Sequence, residues 1–239
     1  MDSDKRLWIG VLVLIGTFWF FVCSAVRYNL AATSAALAAR PVTVIIDAGH
    51  GGEDGGAVSV TGVPESGINL AISQRLEQIL ALCGVQTMMV RPGEEAVTTE
   101  GDTVSERKVA DLKRRVSLIN AVEPAVVVSI HQNHFSESKY RGAQVFYAAA
   151  DGSRELALQT QKLLRQSLDK SNRREAKPAS SVFLMDRIHH TGILVECGFL
   201  SNPQEEQLLL QPDYQKKIAC TIGCALMQYL EKGDMEVEV

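Results

Sequence analysis

The chain has 239 residues, 46% of them hydrophobic, so it is long enough to bury one sizeable core and too short for two. Its net charge is -4 with acidic and basic residues interspersed, which provides no basic field for a polyphosphate and excludes nucleic acid as an expected partner. The composition therefore predicts one catalytic or binding domain.

An apolar stretch near the N-terminus predicts a membrane segment. Residues 7–26, LWIGVLVLIGTFWFFVCSAV, contain no charged side chain, and twenty such residues suffice to cross a bilayer core as a helix. Lys5 and Arg6 precede them, so the positive-inside bias places the following domain outside the cytoplasm. We expect an uncleaved anchor over residues 1–28 and an Ala-rich linker over 29–40. A cleaved signal peptide and a buried core helix are the alternatives.

From Val42 onward the chain alternates short apolar runs with helical periods. Strands are predicted over residues 42–46, 85–90, 125–130, 143–148 and 192–197. Helices are predicted over residues 68–80, 109–119 and 153–168, after the capping residue Asn202, and over 218–230. Strands that alternate with helices predict an α/β fold with a mainly parallel, twisted sheet and helices on both faces. The catalytic domain is expected over residues 41–233, with 234–239 as a tail.

The five cysteines neither support nor contradict export. They are odd in number and most lie in apolar surroundings, so no disulfide framework is predicted. Cys220 and Cys224 have helical i, i+4 spacing without a nearby His or Cys pair at zinc-finger spacing. We therefore expect both to fill the core rather than to bind metal.

Four polar residues are predicted to meet beyond the carboxyl ends of the strands. His50 follows the first strand, His131 follows the third, and Glu196 lies in the last. Glu65 stands where a helix begins after the glycine-rich loop. Functional groups collect at this edge of such sheets. Two histidines, one carboxylate and an open position make a catalytic zinc sphere, and the other carboxylate is available to handle protons.

Each of these residues also has an ordinary structural explanation. A histidine after a strand is usually a hydrogen-bonded loop residue, and Glu65 suits a first helical turn, where it complements the helix dipole. The glycine-rich loop lacks the G-x-G-x-x-G order and the Lys-Ser/Thr ending of nucleotide-binding loops. Glu196 is the hardest to explain structurally, because an acid inside GILVECGF must be paired, bound to metal or neutral.

Five segments carry a resemblance to a known family. They are IIDAGHGGEDGGA (45–57), ESGINLAIS (65–73), VVVSIHQNHF (126–135), GAQVFY (142–147) and GILVECGFLSNPQEEQLL (192–209). Their order and spacing, over roughly residues 42–231, resemble zinc-dependent N-acetylmuramoyl-L-alanine amidases of the Amidase_3 type. SERKVADLKRRVSLIN (105–120) and the short construction, an anchor without appended wall-binding repeats, resemble the membrane-anchored, germination-specific members that act on spore cortex.

The resemblance implies a zinc site, a reaction and a substrate. By position, the family's zinc ligands fall on His50, Glu65 and His131, and its catalytic glutamate falls on Glu196. The implied reaction hydrolyses the amide between the lactyl group of muramic acid and L-alanine in peptidoglycan, as a step toward the muramic-δ-lactam of spore cortex. An activator protein is left open as a partner. His134 departs from the family pattern. Its possible roles are a substrate contact, a spare metal ligand or a surface residue.

Further residues and two other functions remain as alternatives. Asp47 and Asn133 are candidates for orienting the imidazoles, with a purely structural role equally open. The basic run 170–178, KSNRREAKP, is either a contact for stem-peptide carboxylates or a solvated loop. A zinc peptidase that cuts within stem peptides would use the same metal chemistry. A non-catalytic wall-binding module is disfavoured because all four polar positions are filled.

Overall fold

The structure is a computed structural model that describes residues 16–24 and 41–237, divided into two units, Met1–Pro41 and Val42–Val239. In the first unit, residues 16–24 are helical. The rest of the predicted anchor and the predicted linker lie outside the described residues. Within the described ranges, no helix combines the length and the apolar character that a membrane span needs.

The second unit alternates strands and helices in the predicted order. Its strands are β1 (Thr43–Ala48), β2 (Thr87–Met89), β3 (Ala125–Asn133), β4 (Gln144–Tyr147), β5 (Lys177–Pro178) and β6 (Thr191–Phe199). Its helices are α1 (Glu65–Leu82), α2 (Val104–Asn120), α3 (Ser153–Ser167), α4 (Pro203–Leu209) and α5 (Pro212–Val237). The last helix therefore extends through most of the segment that was predicted to be a tail.

Side-chain caps determine where two of these helices begin. At α2, the Thr103 hydroxyl accepts from the Glu106 amide, and the Glu106 carboxylate accepts from the Thr103 amide. At α4, the Asn202 side chain accepts from the amides of Gln204 and Glu205. The predicted cap at Asn202 is thus confirmed.

Among the described residues the sheet has four parallel strand pairs, as predicted, and one antiparallel pair that makes it mixed. Its strand order is β2-β1-β3-β6-β4-β5, and the first four strands are parallel to one another. β4 pairs antiparallel with β6, and β5 follows the direction of β4. The reason lies between β3 and β4, where residues 134–143 contain no helix. A parallel return normally needs a crossover of about a dozen residues or more, so the chain comes back in the opposite direction.

Apolar side chains cover both faces of the sheet. On one face, Val44 and Ile46 of β1 belong to a cluster with the buried residues of α1, α3 and α5. On the other, Ile45 packs with Ile119 of α2 and with the segment 179–188. The alternation along β1 is the expected two-residue period of a strand. Helical cover on both faces is therefore confirmed, although a non-helical segment completes the second layer.

Helix α2 turns a different side toward the sheet than its apolar spacing predicts. The spacing of Val109, Leu112, Val116 and Ile119 predicts an apolar face, with Arg115 on the opposite, basic face. In the structure Val109 is 43% exposed, whereas Arg115 is 2% exposed. The stripe that faces inward contains Asp111, Arg115 and Ile119, spaced at i, i+4. The prediction failed because Arg115 finds a buried acidic partner on β1, which a period of apolar residues cannot reveal.

The expectation that Cys220 and Cys224 fill the core is wrong, because both are exposed. The buried side of α5 carries Ile218, Ile222 and Leu226, which also follow i, i+4 spacing. Each of the two cysteines lies two residues from the nearest of these buried positions. Two helical positions differ by about 200°, so the cysteines face the opposite side. All five cysteines, Cys23 included, are free thiols.

Candidate metal centre and catalytic site

Three of the predicted site residues converge at the carboxyl edge of the sheet, where His50 follows β1, His131 lies in the last part of β3 and Glu65 begins α1. His50 Nε2 lies 2.5 Å from Glu65 Oε1, and His131 Nδ1 lies 3.3 Å from the same oxygen. One ligand atom from each residue falls within 4.8 Å of the others. His134, the departure from the family pattern, is exposed and lies outside this cluster. Two imidazoles and one carboxylate thus share a site with the spacing of metal ligands.

Two glycines make room for this cluster. A Cβ atom at Gly49 would overlap the ring of His131, and a Cβ atom at Gly56 would overlap the carboxyl group of Glu65. Gly56 also has a φ of 71°, which side-chain-bearing residues seldom adopt. The glycine-rich sequence after β1 therefore allows the backbone to approach the candidate ligands closely.

His50 has a second partner that the sequence analysis missed. Its Nδ1 lies 2.8 Å from Asp54 Oδ2, and Lys108 Nζ lies 2.8 Å from Asp54 Oδ1. Burial alone would raise the pKa of Asp54, but the hydrogen bonds from Lys108 and His50 lower it to about 2. For His50, burial alone would lower the pKa, but the carboxylates of Glu65 and Asp54 raise it above the usual value. The sequence feature that could have revealed this contact is the position of Asp54 four residues after His50, in the same glycine-rich segment.

Asp47, a candidate for orienting an imidazole, instead forms a buried ion pair. Its Oδ1 lies 2.7 Å from Arg115 Nη1, and its Oδ2 accepts from Ser129 Oγ at 2.6 Å. Arg115 Nη2 donates to the His50 carbonyl at 2.6 Å. Asp47 therefore fixes the arginine that holds the backbone of His50. The other candidate, Asn133, ends β3, and its carbonyl accepts from Leu200.

Arg91 is a second buried arginine that supports the loop and that the sequence analysis did not single out. Its Nε donates to the Ala48 carbonyl at 2.8 Å. Its Nη2 donates to the Gly49 carbonyl at 3.0 Å and to the Ser66 carbonyl at 2.8 Å. The sequence feature that could have revealed Arg91 is its position two residues after β2, at the same edge of the sheet. Two guanidinium groups thus tie the loop after β1 to its surroundings.

The Asp47→Asn substitution is expected to lower the free energy of unfolding by about 3–5 kcal/mol, because it leaves a buried arginine without one acidic partner. Both side chains of this pair are 2% exposed. Denaturant unfolding measures the loss. The control is Asp213→Asn, which removes an exposed pair with Lys216 and should change stability by less than about 0.5 kcal/mol. Equal stabilities of the two variants would contradict this account.

The same ion pair predicts a dependence of stability on pH. Burial alone would raise the pKa of Asp47, but Arg115 and Ser129 hold it below the usual value. A lowered folded-state pKa stabilises the protein above the unfolded pKa of about 3.9, and this contribution disappears as the pH falls through the folded-state value. The wild type should therefore lose more stability on acidification than Asp47→Asn does.

Glu196 lies beside the candidate metal ligands on the neighbouring strand. It is the register partner of His131 in the parallel pair of β3 and β6. Its Oε2 atom is shielded from solvent and has no hydrogen-bond partner. Burial raises the pKa of Glu196 to about 7, with His131 opposing the rise and Glu65 adding to it. A carboxyl group that titrates near neutrality is suited to exchanging protons.

A cleft of about 450 Å³ opens beside the two histidines. Helix α2 forms one wall through Val104, Lys108 and Leu112, and the segment 182–184 forms another. Because His50 and His131 both line this cleft, a substrate group that enters it comes next to the candidate metal centre.

Comparisons with known proteins give matches to one family. Residues 44–228 match the sequence profile of the Amidase_3 family, described as N-acetylmuramoyl-L-alanine amidase. The chain is 38% identical over 194 residues to the germination-specific N-acetylmuramoyl-L-alanine amidase of Bacillus subtilis (strain 168), covering 80% of this chain and 81% of that protein. Among solved structures, it is similar to the CwlD amidase from Clostridioides difficile in complex with the GerS lipoprotein. That match has a TM-score of 0.76 and 37% identity, and covers 80% of this chain and 98% of the other.

Proposed function

Since the chain belongs to the N-acetylmuramoyl-L-alanine amidase family and is a hydrolase that acts on peptidoglycan, we propose that it uses zinc. The proposed zinc ligands are His50, Glu65 and His131. Glu196 is proposed as the group that moves the proton. The observation that carries the proposal is the convergence of the three ligand atoms within 4.8 Å, beside a carboxyl group in register with His131.

The donor set fits zinc. Two imidazole nitrogens and one carboxylate oxygen are ligands that catalytic zinc sites use, and they leave a fourth position open. Glu65 is 2% exposed, and hydrogen bonds from the two histidines lower its pKa to about 2, against the effect of burial. The carboxylate is therefore ionised at neutral pH, and a cation beside it would compensate its charge.

The reaction requires one proton to move twice. Bound zinc supplies a Lewis acid that polarises a carbonyl oxygen and acidifies a water molecule. Glu196 accepts the proton of the attacking water as the new C–O bond forms at the lactyl carbonyl. It then donates that proton to the nitrogen of L-alanine as the C–N bond breaks, which releases the stem peptide. Asp54 and Arg115 keep His50 in place, through its Nδ1 and its carbonyl respectively.

Analysis of the digestion products tests the proposed reaction. Purified peptidoglycan incubated with the protein and zinc should yield stem peptides with a free L-alanine amino terminus, identified by mass spectrometry. Products that retain alanine on muramic acid would show a zinc peptidase that cuts within the stem. Binding to the wall without any released product, with or without zinc, would indicate the non-catalytic module.

Similarity to a germination-specific amidase supports spore cortex as the substrate. We propose that the chain prepares cortex peptidoglycan for conversion to muramic-δ-lactam. Spores that lack the protein should contain little of this lactam in their cortex, and the wild-type gene should restore it. Normal lactam content in the deletion strain would contradict the assignment to cortex.

The apolar stretch 7–26 supports a membrane anchor with the catalytic domain outside the cytoplasm. The full chain is expected to sediment with membranes, whereas a chain that begins at Ala39 should remain in the supernatant and hydrolyse muropeptides. Cell fractionation with immunoblotting measures the distribution. A native protein cut near Ala38 and free of membranes would show that the segment is a cleaved signal peptide.

A lipoprotein partner is proposed on the basis of the solved structure of the C. difficile amidase, which is a complex with the GerS lipoprotein. A lipoprotein produced with this chain should co-elute with it in size-exclusion chromatography and raise its hydrolysis rate. The opposite result is that lipoproteins from the same cells elute separately from this chain and leave its hydrolysis rate unchanged. That result would contradict a lipoprotein partner.

The Asp54→Asn substitution is expected to weaken zinc binding about 10- to 100-fold, because partners that orient a ligand histidine usually contribute that much. Competition with a chromogenic chelator measures the affinity. Glu53→Gln is the matched control, since it removes a neighbouring carboxylate that is 67% exposed and pairs with Arg107. Equal zinc affinities for the two variants would show that Asp54 does not support His50.

A further inference from the structure

Arg174 reaches the sheet next to Glu196. In the antiparallel pair of β4 and β6, Gln144 lies directly opposite Glu196. Directly opposed residues project from the same face with their Cβ atoms about 4.5–5.5 Å apart. Arg174 Nη1 donates to Gln144 Oε1 at 3.0 Å. Gln144 therefore links this guanidinium group to the strand position directly opposite the proposed catalytic residue.

Uncharged groups hold the Arg174 guanidinium in a defined orientation. Its Nε donates to the Arg141 carbonyl at 2.8 Å, and its Cζ lies 4.4 Å from the centroid of the Phe199 ring. Phe199 is in β6, three residues after Glu196. In the described part of the chain, Arg174 forms no ion pair, and its Nη2 makes no hydrogen bond. Burial raises the pKa of Glu205, and the charges of Arg141 and Arg174 oppose that rise, so Arg174 also faces this carboxylate. The arginine is thus positioned, and the N–H groups of its Nη2 stay available.

A groove of about 500 Å³ continues from Arg174 across the surface. Its lining contains four basic residues and one acidic residue, together with neutral polar groups: Lys139, Arg141, Arg173, Arg174, Asp169, Tyr140, Ser171 and Asn172. Asp169 is already paired with Arg141 at 2.7 Å. This surface, called the basic groove below, therefore has an excess of positive charge and includes the arginine that is bonded to Gln144.

We infer that Arg174 and the basic groove form a subsite for a free carboxylate of the substrate's stem peptide. The inference rests on the proposed function and deepens it by adding a determinant of substrate choice. Guanidinium groups present paired N–H donors that match the two oxygens of a carboxylate, and such charge-assisted hydrogen bonds are stronger than neutral ones. Stem peptides are acidic chains attached to the scissile amide, so one of their carboxylates can reach Arg174 while the amide lies at Glu196.

Two muropeptides that differ only in their stem carboxyl groups test the subsite. One carries free carboxylates and the other carries the corresponding carboxamides. The full-length protein with zinc should have a KM about tenfold lower for the acidic muropeptide than for the carboxamide. A tenfold difference corresponds to the low end of the free energies measured for hydrogen bonds to charged groups. Arg174→Gln should remove this preference by raising KM for the acid, with kcat changed less than about twofold. Arg174→Lys should restore part of it.

Arg187→Gln provides the matched control. Arg187 also stacks on an aromatic ring, with its Cζ 3.8 Å from the Phe183 centroid, and donates to a backbone carbonyl. This variant should keep the wild-type preference for the acidic muropeptide. A purely structural arginine at position 174 would instead affect both substrates equally.

The outcomes separate the inference from the proposed function. If the wild type hydrolyses both muropeptides while Arg174→Gln and Arg174→Lys retain its full preference, the carboxylate subsite is wrong. An equal loss of kcat on both substrates in these variants also overturns it. If the wild type hydrolyses neither substrate, the proposed function itself fails.

Discussion

Glu196→Gln is expected to lower the rate of muropeptide hydrolysis by about 10²- to 10⁴-fold, the usual contribution of a positioned general base. The amide has nearly the shape of the carboxyl group but cannot take up the proton from water. Since Glu196 is not among the three converging ligand residues, the variant should keep its bound zinc. Steady-state hydrolysis of a purified muropeptide and atomic emission of the same sample measure the two quantities.

The result distinguishes a general base from a ligand. Wild-type hydrolysis by Glu196→Gln would show that the carboxyl group, although its pKa is raised to about 7 by burial, moves no proton in the reaction. Loss of zinc from the variant would show instead that Glu196 binds the metal. Either outcome would remove the proposed role.

His131→Ala is expected to lose most of its bound zinc and with it nearly all activity, because two ligands would remain where catalytic zinc sites use three. Glu65→Gln should also bind zinc more weakly, since the ligand charge is gone, and an excess of zinc should partly restore its activity. Zinc per chain, measured by atomic emission after dialysis, reports both effects.

His134→Ala is the control for the histidine variant. His134 is exposed, three residues after His131, and lies outside the cluster. The His134→Ala variant should retain the wild-type zinc content and the wild-type activity. Undiminished zinc in both His131→Ala and Glu65→Gln would show that the ligands have been assigned wrongly.

The edge of the sheet where the site lies could be predicted because it follows from local patterns. An apolar run followed by a polar residue marks the carboxyl end of a strand, and parallel strands bring such ends together. His50 and His131 were found in this way, and the structure places them with ring centroids 5.0 Å apart. Glu196 was recognised because a lone acid within a buried strand demands a special environment.

Other features depend on partners far away in the chain, and their residues carry no local sign of it. Arg115 looked like one more cation on a basic helix, but its partner Asp47 is 68 positions earlier. The direction of β4 depends on how the connection of residues 134–143 returns the chain to the sheet without a helical crossover. The side of α5 that carries Cys220 depends on which stripe of the helix meets α1.

The most direct test of the zinc site is a crystal structure of the protein grown with zinc, with anomalous diffraction recorded on both sides of the zinc absorption edge. We expect one strong anomalous peak bonded to His50, Glu65 and His131, with Glu196 nearby but not bonded to the metal. A peak bonded to Glu196 in place of Glu65, or no peak among these residues, would contradict this expectation.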